Sequence, residues 1–219
     1  TRVLEALGYE VVVLKDRKCC GRPMISKGML DQAGENARHN VDLLHPYAEQ
    51  GIKIVGCEAS CVSAITDDWP DLLGGDYKAK DVAASVVTIE ELLVDTATDD
   101  GQQIKWSDLK KEVKFFGHCH QRALTGTSKS VAALNLPSGY DASEISAGCC
   151  GMAGSFGYEK NHIDVATAAG EDRLFPAIRE ANSDAEIATS GISCREQIGF
   201  NTRRESRHVV EILADALFD

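Results

Sequence analysis

The chain of 219 residues is 43% hydrophobic and 26% charged, which is ordinary for a folded globular protein and too apolar for a disordered one. Its 23 basic and 34 acidic residues leave a net charge of −11, which repels a phosphate backbone and argues against nucleic-acid binding. No apolar run approaches the roughly 18 residues of a transmembrane segment, and the N-terminus lacks a signal-peptide pattern. We therefore expect a cytoplasmic protein that reaches the inner membrane only through partners.

Short apolar runs rich in β-branched or aromatic residues alternate with helical patterns along the chain. The predicted strands are residues 11–14, 52–55, 113–116, 142–146 and 185–188. The predicted helices are residues 31–50, 83–94, 128–135, 164–181 and 209–217, with Asp81 as the N-cap of the second. Because strands that alternate with helices are typical of parallel βαβ units, this order predicts an α/β fold. The polar stretch 95–108 is the predicted linker.

Two segments share one order of motifs: helix, strand, CCG, helix, strand, cysteine. The first contains KDRKCCG and IKIVGCEASC, and the second contains ISAGCCG and AEIATSGISC. We therefore predict two similar Rossmann-like half-domains with parallel sheets, related by an internal duplication, over residues 1–98 and 109–219. Strand 113–116 has no counterpart in the first half, because the chain opens at Thr1 within the matching helix. We expect the sequence to be part of a longer chain.

The cysteines follow the predicted strands. This holds for all eight of them: Cys19, Cys20, Cys57, Cys61, Cys119, Cys149, Cys150 and Cys194. Ligands of open α/β sheets bind beyond the carboxyl ends of the strands, so each half could assemble four thiols at one edge. In a chain without a secretory signal, such thiols indicate metal or redox chemistry rather than disulfides. Four thiolates suit a four-iron cluster or a tetrahedral zinc ion, whereas isolated cysteines are often only small buried side chains.

Glycines accompany both cysteine pairs. Gly21 and Gly151 would let the backbone approach an inorganic sulfur and direct an N–H group at it. In CCGMAGSFGYE, Gly151, Gly154 and Gly157 are spaced by three, which is not the GxGxxG spacing of a dinucleotide loop. We therefore predict that this loop wraps closely around a cluster.

Three further side chains adjoin cysteines. His118 and His120 flank Cys119, where an imidazole could bind a metal, donate a hydrogen bond to a cluster sulfur, or only satisfy the end of a strand. Arg195 follows Cys194 and could neutralise cluster charge, or be an ordinary surface arginine.

The motifs CCGRP, CEASC, GHCHQRAL, CCGMAGSFGYE and SGISCREQI resemble the cysteine-rich CCG domains of the heterodisulfide reductase group, in particular its B-type subunits. That group includes the iron–sulfur subunits of glycolate oxidase and of anaerobic glycerol-3-phosphate dehydrogenase. The sequence is most similar to the C-terminal region of FAD-linked oxidases of D-lactate and related 2-hydroxy acids. The resemblance implies an electron-transfer region with a 4Fe-4S type cluster, preceded by FAD and ferredoxin-like modules or subunits and followed by an electron acceptor.

The family pattern in each half is an upstream cysteine, a cysteine pair and a closing CxxC. In the second half Gly191 stands at the first position of CxxC, so the resemblance implies four ligands there: Cys119, Cys149, Cys150 and Cys194. In the first half Glu58 stands at that position and Cys57 lies one residue before it. Two alternatives stay open: thiol–disulfide chemistry like that of heterodisulfide reductase, and a structural or docking module held by zinc.

Overall fold

The computed structural model describes residues 1–98 and 104–218, which form helices and short parallel strands, so the predicted α/β class is confirmed. The helices are α1 Arg2–Ala6, α2 Arg22–Ser26, α3 Leu30–Ala48, α4 Ala59–Ser63, α5 Trp69–Leu72, α6 Tyr77–Ser85, α7 Ile89–Thr98, α8 Cys119–Leu124, α9 Ser128–Leu134, α10 Ile163–Glu171, α11 Leu174–Glu180, α12 Ile192–Thr202 and α13 Val209–Asp215. The strands are β1 Ile54–Gly56, β2 Val86–Thr88, β3 Lys111–Phe115, β4 Tyr140–Glu144 and β5 Glu186–Ala188.

The chain forms two compact units. One is Val12–Ile89, and the other combines Thr1–Val11 with Glu90–Asp219. We call them the central unit and the terminal unit. The predicted duplication and its boundaries at residues 1–98 and 109–219 stay predictions.

The central unit contains a two-stranded parallel sheet in which Ile54 of β1 is paired with Val86 of β2. Helix α3 buries Ala33, Ala37 and Val41, which lie on one face because they are spaced by four residues. This face packs against neighbouring helices, α6 among them. The core of the unit consists of Cys20, Ala37, Val41, Ala64, Trp69, Ala79 and Val82.

The terminal unit contains a parallel sheet with the strand order β4-β3-β5. Val113 and Phe115 of the middle strand are fully buried, as expected for a strand that has neighbours on both sides. The core beside this sheet consists of Phe116, Ile145, Ala147, Cys150, Met152, Leu174, Phe175, Ile178, Ile187, Cys194 and Ile198. Two cysteines of the predicted site therefore belong to the core itself.

Two predictions for the first half of the chain, one strand and one helix, are corrected. Residues 11–14 form no strand, and Val12 and Val13 are each 60% exposed. A β-branched run becomes a strand only when a neighbouring backbone pairs with it, and no such pairing involves this run within the described residues. Conversely, β2 interrupts the helix predicted over residues 83–94.

Two helix predictions are also corrected. The helix predicted over residues 164–181 is two helices, α10 and α11, because the backbone leaves the helical conformation at Arg173, with a φ of −149°, and the Phe175 ring packs where a side chain at Gly170 would lie. Helix α6 begins before Asp81, and its N-cap is Asp76, which accepts the Lys78 N–H at 3.0 Å. Of the predicted linker, residues 95–98 belong to α7 and residues 99–103 lie outside the described part of the chain.

Candidate metal centre

Four predicted cysteines follow the three strands of the terminal unit. Cys119 begins α8 after β3, Cys149 and Cys150 follow β4, and Cys194 lies in the first turn of α12 after β5. We call these four the second thiol set. Because parallel strands end at one edge of the sheet, the fold places these cysteines on the side where α/β sheets bind ligands.

Contacts join the members of this set. The thiol of Cys150 is hydrogen-bonded to those of Cys149 and Cys194. The charge of an ionised Cys149 contributes to raising the pKa of Cys119. Burial raises the pKa of Cys119, and the hydrogen bond with Cys150 together with burial raises the pKa of Cys149. For Cys150, the hydrogen bond with Cys149 lowers the pKa, but the hydrogen bond with Cys194 and burial outweigh it and raise the pKa to about 12. A metal that binds these thiols must therefore displace protons.

The loop after the second CCG turns tightly, with positive φ angles at three of its residues. Gly151 has a φ of +92°, and its N–H is 3.3 Å from the Cys149 Sγ. A Cβ on Gly151 would lie 1.9 Å from the carbonyl oxygen of Ala166 in α10, so only glycine fits. Ala153 and Gly154 also have positive φ, which allows the loop to turn tightly after the cysteine pair.

Arg122 is a site residue that the sequence reasoning missed. It lies in α8 one turn after Cys119, and its guanidinium donates hydrogen bonds to the carbonyls of Ala147 and Gly148, just before Cys149. The guanidinium also lies 5.4 Å from the centre of the Phe116 ring, and its Nε is buried without a hydrogen-bond partner among the described residues. Its charge lowers the pKa of both Cys119 and Cys149 against the larger opposing effects. The signal in the sequence was an arginine three residues after a cysteine.

The other candidates beside this set have local structural contacts. His118 is the N-cap of α8, and its Nδ1 accepts the backbone N–H of His120 at 3.2 Å. The rings of the two histidines lie 5.2 Å apart in an edge-on arrangement. Arg195 donates to the carbonyl of Thr189 at 3.3 Å.

The first thiol set consists of Cys19, Cys20, Cys57 and Cys61 in the central unit. The Sγ atoms of Cys20 and Cys61 are 3.2 Å apart, and Cys19 is hydrogen-bonded to Cys20. The hydrogen bond with Cys61 lowers the pKa of Cys20 to about 6 despite burial, and the same bond and burial raise the pKa of Cys61. Cys19 and Cys57 are exposed. Cys57 and Cys61 follow β1 as predicted, whereas Cys19 and Cys20 follow no strand.

Local contacts hold the first CCG in place. The indole N–H of Trp69 donates to the Cys20 carbonyl at 2.8 Å, and Gly21 has a φ of +89°. A Cβ on Gly21 would meet Ala33 of α3 at 3.3 Å. Glu58 is the N-cap of α4 and its charge raises the pKa of both Cys20 and Cys61. The negative charge of Glu58 thus opposes ionisation of both thiols.

Neither thiol set is a finished coordination shell. Within residues 1–98 and 104–218, no three His, Cys, Asp or Glu side chains are arranged to hold a metal ion as they stand. In the same part of the chain, no helix combines the length and apolar character that are needed to cross a bilayer.

Comparison with known proteins finds a family model and several oxidoreductase subunits that are similar to this chain. Residues 1–66 match the family model of the CCG cysteine-rich domain. The chain is 28% identical, over 99% of its length, to an anaerobic glycerol-3-phosphate dehydrogenase subunit of Escherichia coli K12, of which it covers 54%. It is 29% identical to a dihydromethanophenazine:CoB–CoM heterodisulfide reductase subunit of Methanosarcina barkeri (99% of the chain, 54% of the relative). It is 26% identical to the glycolate oxidase iron-sulfur subunit of E. coli K12 (99% of the chain, 53% of the relative).

These matches confirm the resemblance that the motifs indicate. The chain spans about half the length of these three relatives, and each relative is part of a dehydrogenase, reductase or oxidase. Residues 1–66 thus match the model of the CCG cysteine-rich domain family, and the chain is similar over 99% of its length to these oxidoreductase subunits.

Proposed function

We propose that this chain is the cysteine-rich, iron–sulfur electron-transfer region of an FAD-dependent oxidoreductase that acts on a 2-hydroxy acid such as D-lactate or glycolate. The observation that carries the proposal is the second thiol set, in which four cysteines from three strand ends are joined by contacts. The glycolate oxidase relative supports both the cofactor class and the substrate class, since its name includes iron–sulfur and its substrate is a 2-hydroxy acid.

The residues of the second thiol set fit a 4Fe-4S cluster by their chemistry. Thiolates are the ligands that iron–sulfur clusters take from proteins, and Cys119, Cys149, Cys150 and Cys194 supply four. The Gly151 N–H already lies 3.3 Å from a cysteine sulfur, which is the kind of backbone hydrogen bond that stabilises anionic sulfur. Arg122 brings a positive charge to a site that would otherwise be strongly negative. Because the thiols are not yet arranged as a shell, binding requires their side chains to rotate.

The cluster, when bound, would accept and release electrons one at a time. The part of this chain is to hold it with the four thiols, to exclude water around the buried Cys150 and Cys194, and to offset its charge with Arg122. We assign hydride removal from the substrate to an FAD module or subunit upstream, because no flavin-binding motif occurs in this sequence. A ferredoxin-like module would connect that flavin to the cluster, and a separate acceptor would take the electrons.

Anaerobic reconstitution with iron and sulfide tests the proposal. We expect the chain to become brown and to bind most of its iron through the second thiol set. Cys150→Ser should lose most of the iron and the visible absorbance, whereas the matched variant Cys57→Ser, in the first set, should keep them. Equal losses in the two variants would contradict the dominance of the second set. A colourless protein that binds zinc with higher affinity would instead favour the structural zinc module.

Thiol–disulfide chemistry is the second candidate function, and the first thiol set favours it. Cys20 and Cys61 lie 3.2 Å apart as free thiols, close enough to form a disulfide after a small movement. If they reduced a disulfide of a partner, the two thiols would give up two electrons and two protons, leaving a Cys20–Cys61 disulfide and two partner thiols. Mass spectrometry of the chain after incubation with a small disulfide would detect that bond, and Cys61→Ser would abolish it.

A further inference from the structure

Gly191 leaves a space in the second thiol set that another side chain fills. A Cβ on Gly191 would lie 2.4 Å from Cδ2 of His118 and 3.3 Å from Sγ of Cys194. The first distance is too short for any real contact between carbon atoms, so the His118 ring occupies the place of a side chain at position 191. The ring is 4% exposed, which makes it part of the wall of the site rather than a surface group.

A hydrogen bond fixes the protonation of this ring. The Nδ1 of His118 accepts the backbone N–H of His120, so the proton of the neutral imidazole is on Nε2. Nε2 is bonded to Cδ2, the ring atom nearest to Gly191, and the Cys194 sulfur borders the same space. A nitrogen that carries a proton cannot bind a metal, but it can donate a hydrogen bond to sulfur.

The segment opposite the ring is also held firmly. Ser190, the residue before Gly191, is hydrogen-bonded to Glu90 at 2.5 Å, and both side chains are 2% exposed. The Gly191 carbonyl accepts the N–H of Arg195 at 3.1 Å in the first turn of α12. Since neither the ring nor the segment can move away easily, their fit is a fixed part of the site.

We propose that His118 takes the place of a side chain at position 191 and donates an Nε2–H hydrogen bond to the sulfur atoms of the cluster bound by the second thiol set. This inference rests on the proposed function and makes His118 a positioning residue rather than a ligand. A hydrogen bond to sulfur stabilises the more negative, reduced state, so His118 raises the reduction potential of the cluster.

The first test compares His118→Phe with His120→Phe in the reconstituted protein. Phenylalanine replaces the imidazole by a slightly larger aromatic ring and removes the N–H donor together with the Nδ1 acceptor. We expect both variants to keep the iron content, and only His118→Phe to have a lower midpoint potential in an anaerobic titration followed by electron paramagnetic resonance. Loss of iron from His118→Phe alone would make the residue a ligand and overturn the inference, as would an unchanged potential. A wild-type chain that binds no iron would overturn the proposed function instead.

The second test needs no iron. Nitrogen-15 spectra of the iron-free chain should show His118 as the Nε2–H form, and the Nδ1–H form would overturn the inference. Gly191→Ala should lower the thermal midpoint by about 5 °C, because its Cβ overlaps the ring. In a His118→Ala background the same substitution should have a much smaller effect, since only the Cys194 sulfur, at 3.3 Å, then borders the new Cβ. An equal effect in both backgrounds would show that the ring does not fill the position.

Discussion

Two glycines in the loop of the second CCG have different reasons to be glycine. A Cβ on Gly148 would lie in open space, with no atom within 4 Å of it. Gly151 has a φ of +92° and touches the backbone of Ala166, so its conformation and its surroundings both reject a side chain. The close contact between this loop and α10 therefore depends on one residue.

We predict that Gly151→Ala lowers the free energy of unfolding by about 2 to 4 kcal/mol, because the left-handed conformation and the overlap with Ala166 are both unfavourable. Gly148→Ala is the matched control three residues earlier, and it should change the stability by less than about 1 kcal/mol. Urea denaturation of the iron-free chain measures both values. Similar losses in the two variants would mean that α10 does not pack tightly against the loop.

At the scale of elements, the salt bridges of Asp215 connect α13 to the sheet of the terminal unit. Its carboxylate is 2.7 Å from Arg207 and 3.1 Å from Lys111 of β3, and both cations also contact Glu186 of β5. The hydrogen bond from Arg207 and that from Lys111 lower the pKa of Asp215 to about 2. A carboxyl group with a lowered pKa stabilises the fold above its unfolded pKa and loses that contribution as the pH falls toward the folded value.

We predict that Asp215→Asn is less stable than the wild type by about 1 kcal/mol at pH 7, a modest effect because these side chains are partly exposed to solvent. The difference should shrink below about pH 4, fall to a small remainder at pH 2, where about half of the folded wild-type carboxyl groups are protonated, and vanish near about pH 1. Denaturation curves across this pH range measure the difference. Asp141→Asn, at an exposed position of β4, should follow the wild type throughout. A difference between Asp215→Asn and the wild type that is as large at pH 2 as at pH 7 would exclude the ion pairs as its source.

The elements that the sequence predicts correctly are those whose pattern is local. β3 and α9 appear within a few residues of their predicted bounds. Their apolar residues recur at strand or helix spacing, and this spacing can be read from consecutive residues. Residues 11–14 are richer in β-branched side chains than β3, yet pairing with another strand is a long-range event that their own sequence does not encode. β2 has no Gly or Pro around it, and only the run of Val86, Val87 and Thr88 could have revealed it.

The site is predictable to a similar extent. The strand ends brought Cys119, Cys149, Cys150 and Cys194 together as the motifs indicate, because parallel strands share a direction. Arg122 escaped prediction because its hydrogen-bond partners are backbone carbonyls, so the sequence signals its role only through its spacing of three residues from Cys119.

At the scale of the whole molecule, the two CCG motifs share backbone conformations and cysteine positions. Gly21 and Gly151 both have left-handed φ values, and both face an alanine of a later helix. Cys61 and Cys194 are each the third residue of their helix, after the N-caps Glu58 and Gly191. These shared details support the proposed duplication.

We predict that the two units unfold as separate cooperative transitions, because each contains its own buried core. Val82→Ala in the central unit and Ile178→Ala in the terminal unit each remove buried methyl groups, at a cost of about 2 to 4 kcal/mol. Scanning calorimetry should show that each substitution lowers the temperature of a different transition. A single transition that both variants shift equally would show that the chain unfolds as one body.

The hydrogen bond from Trp69 to the carbonyl of Cys20 also makes the first CCG optically observable. The indole is 1% exposed and lies in the same core cluster as Cys20, against which Cys61 also packs, whereas the chain's other tryptophan, Trp106, is in the terminal unit. An absorbing metal group at Cys20 and Cys61 would quench the fluorescence of Trp69 by energy transfer. Occupancy of the first thiol set can therefore be followed in the unlabelled protein, in the presence of oxygen or without it, as the loss of the Trp69 contribution to an emission that Trp106 shares.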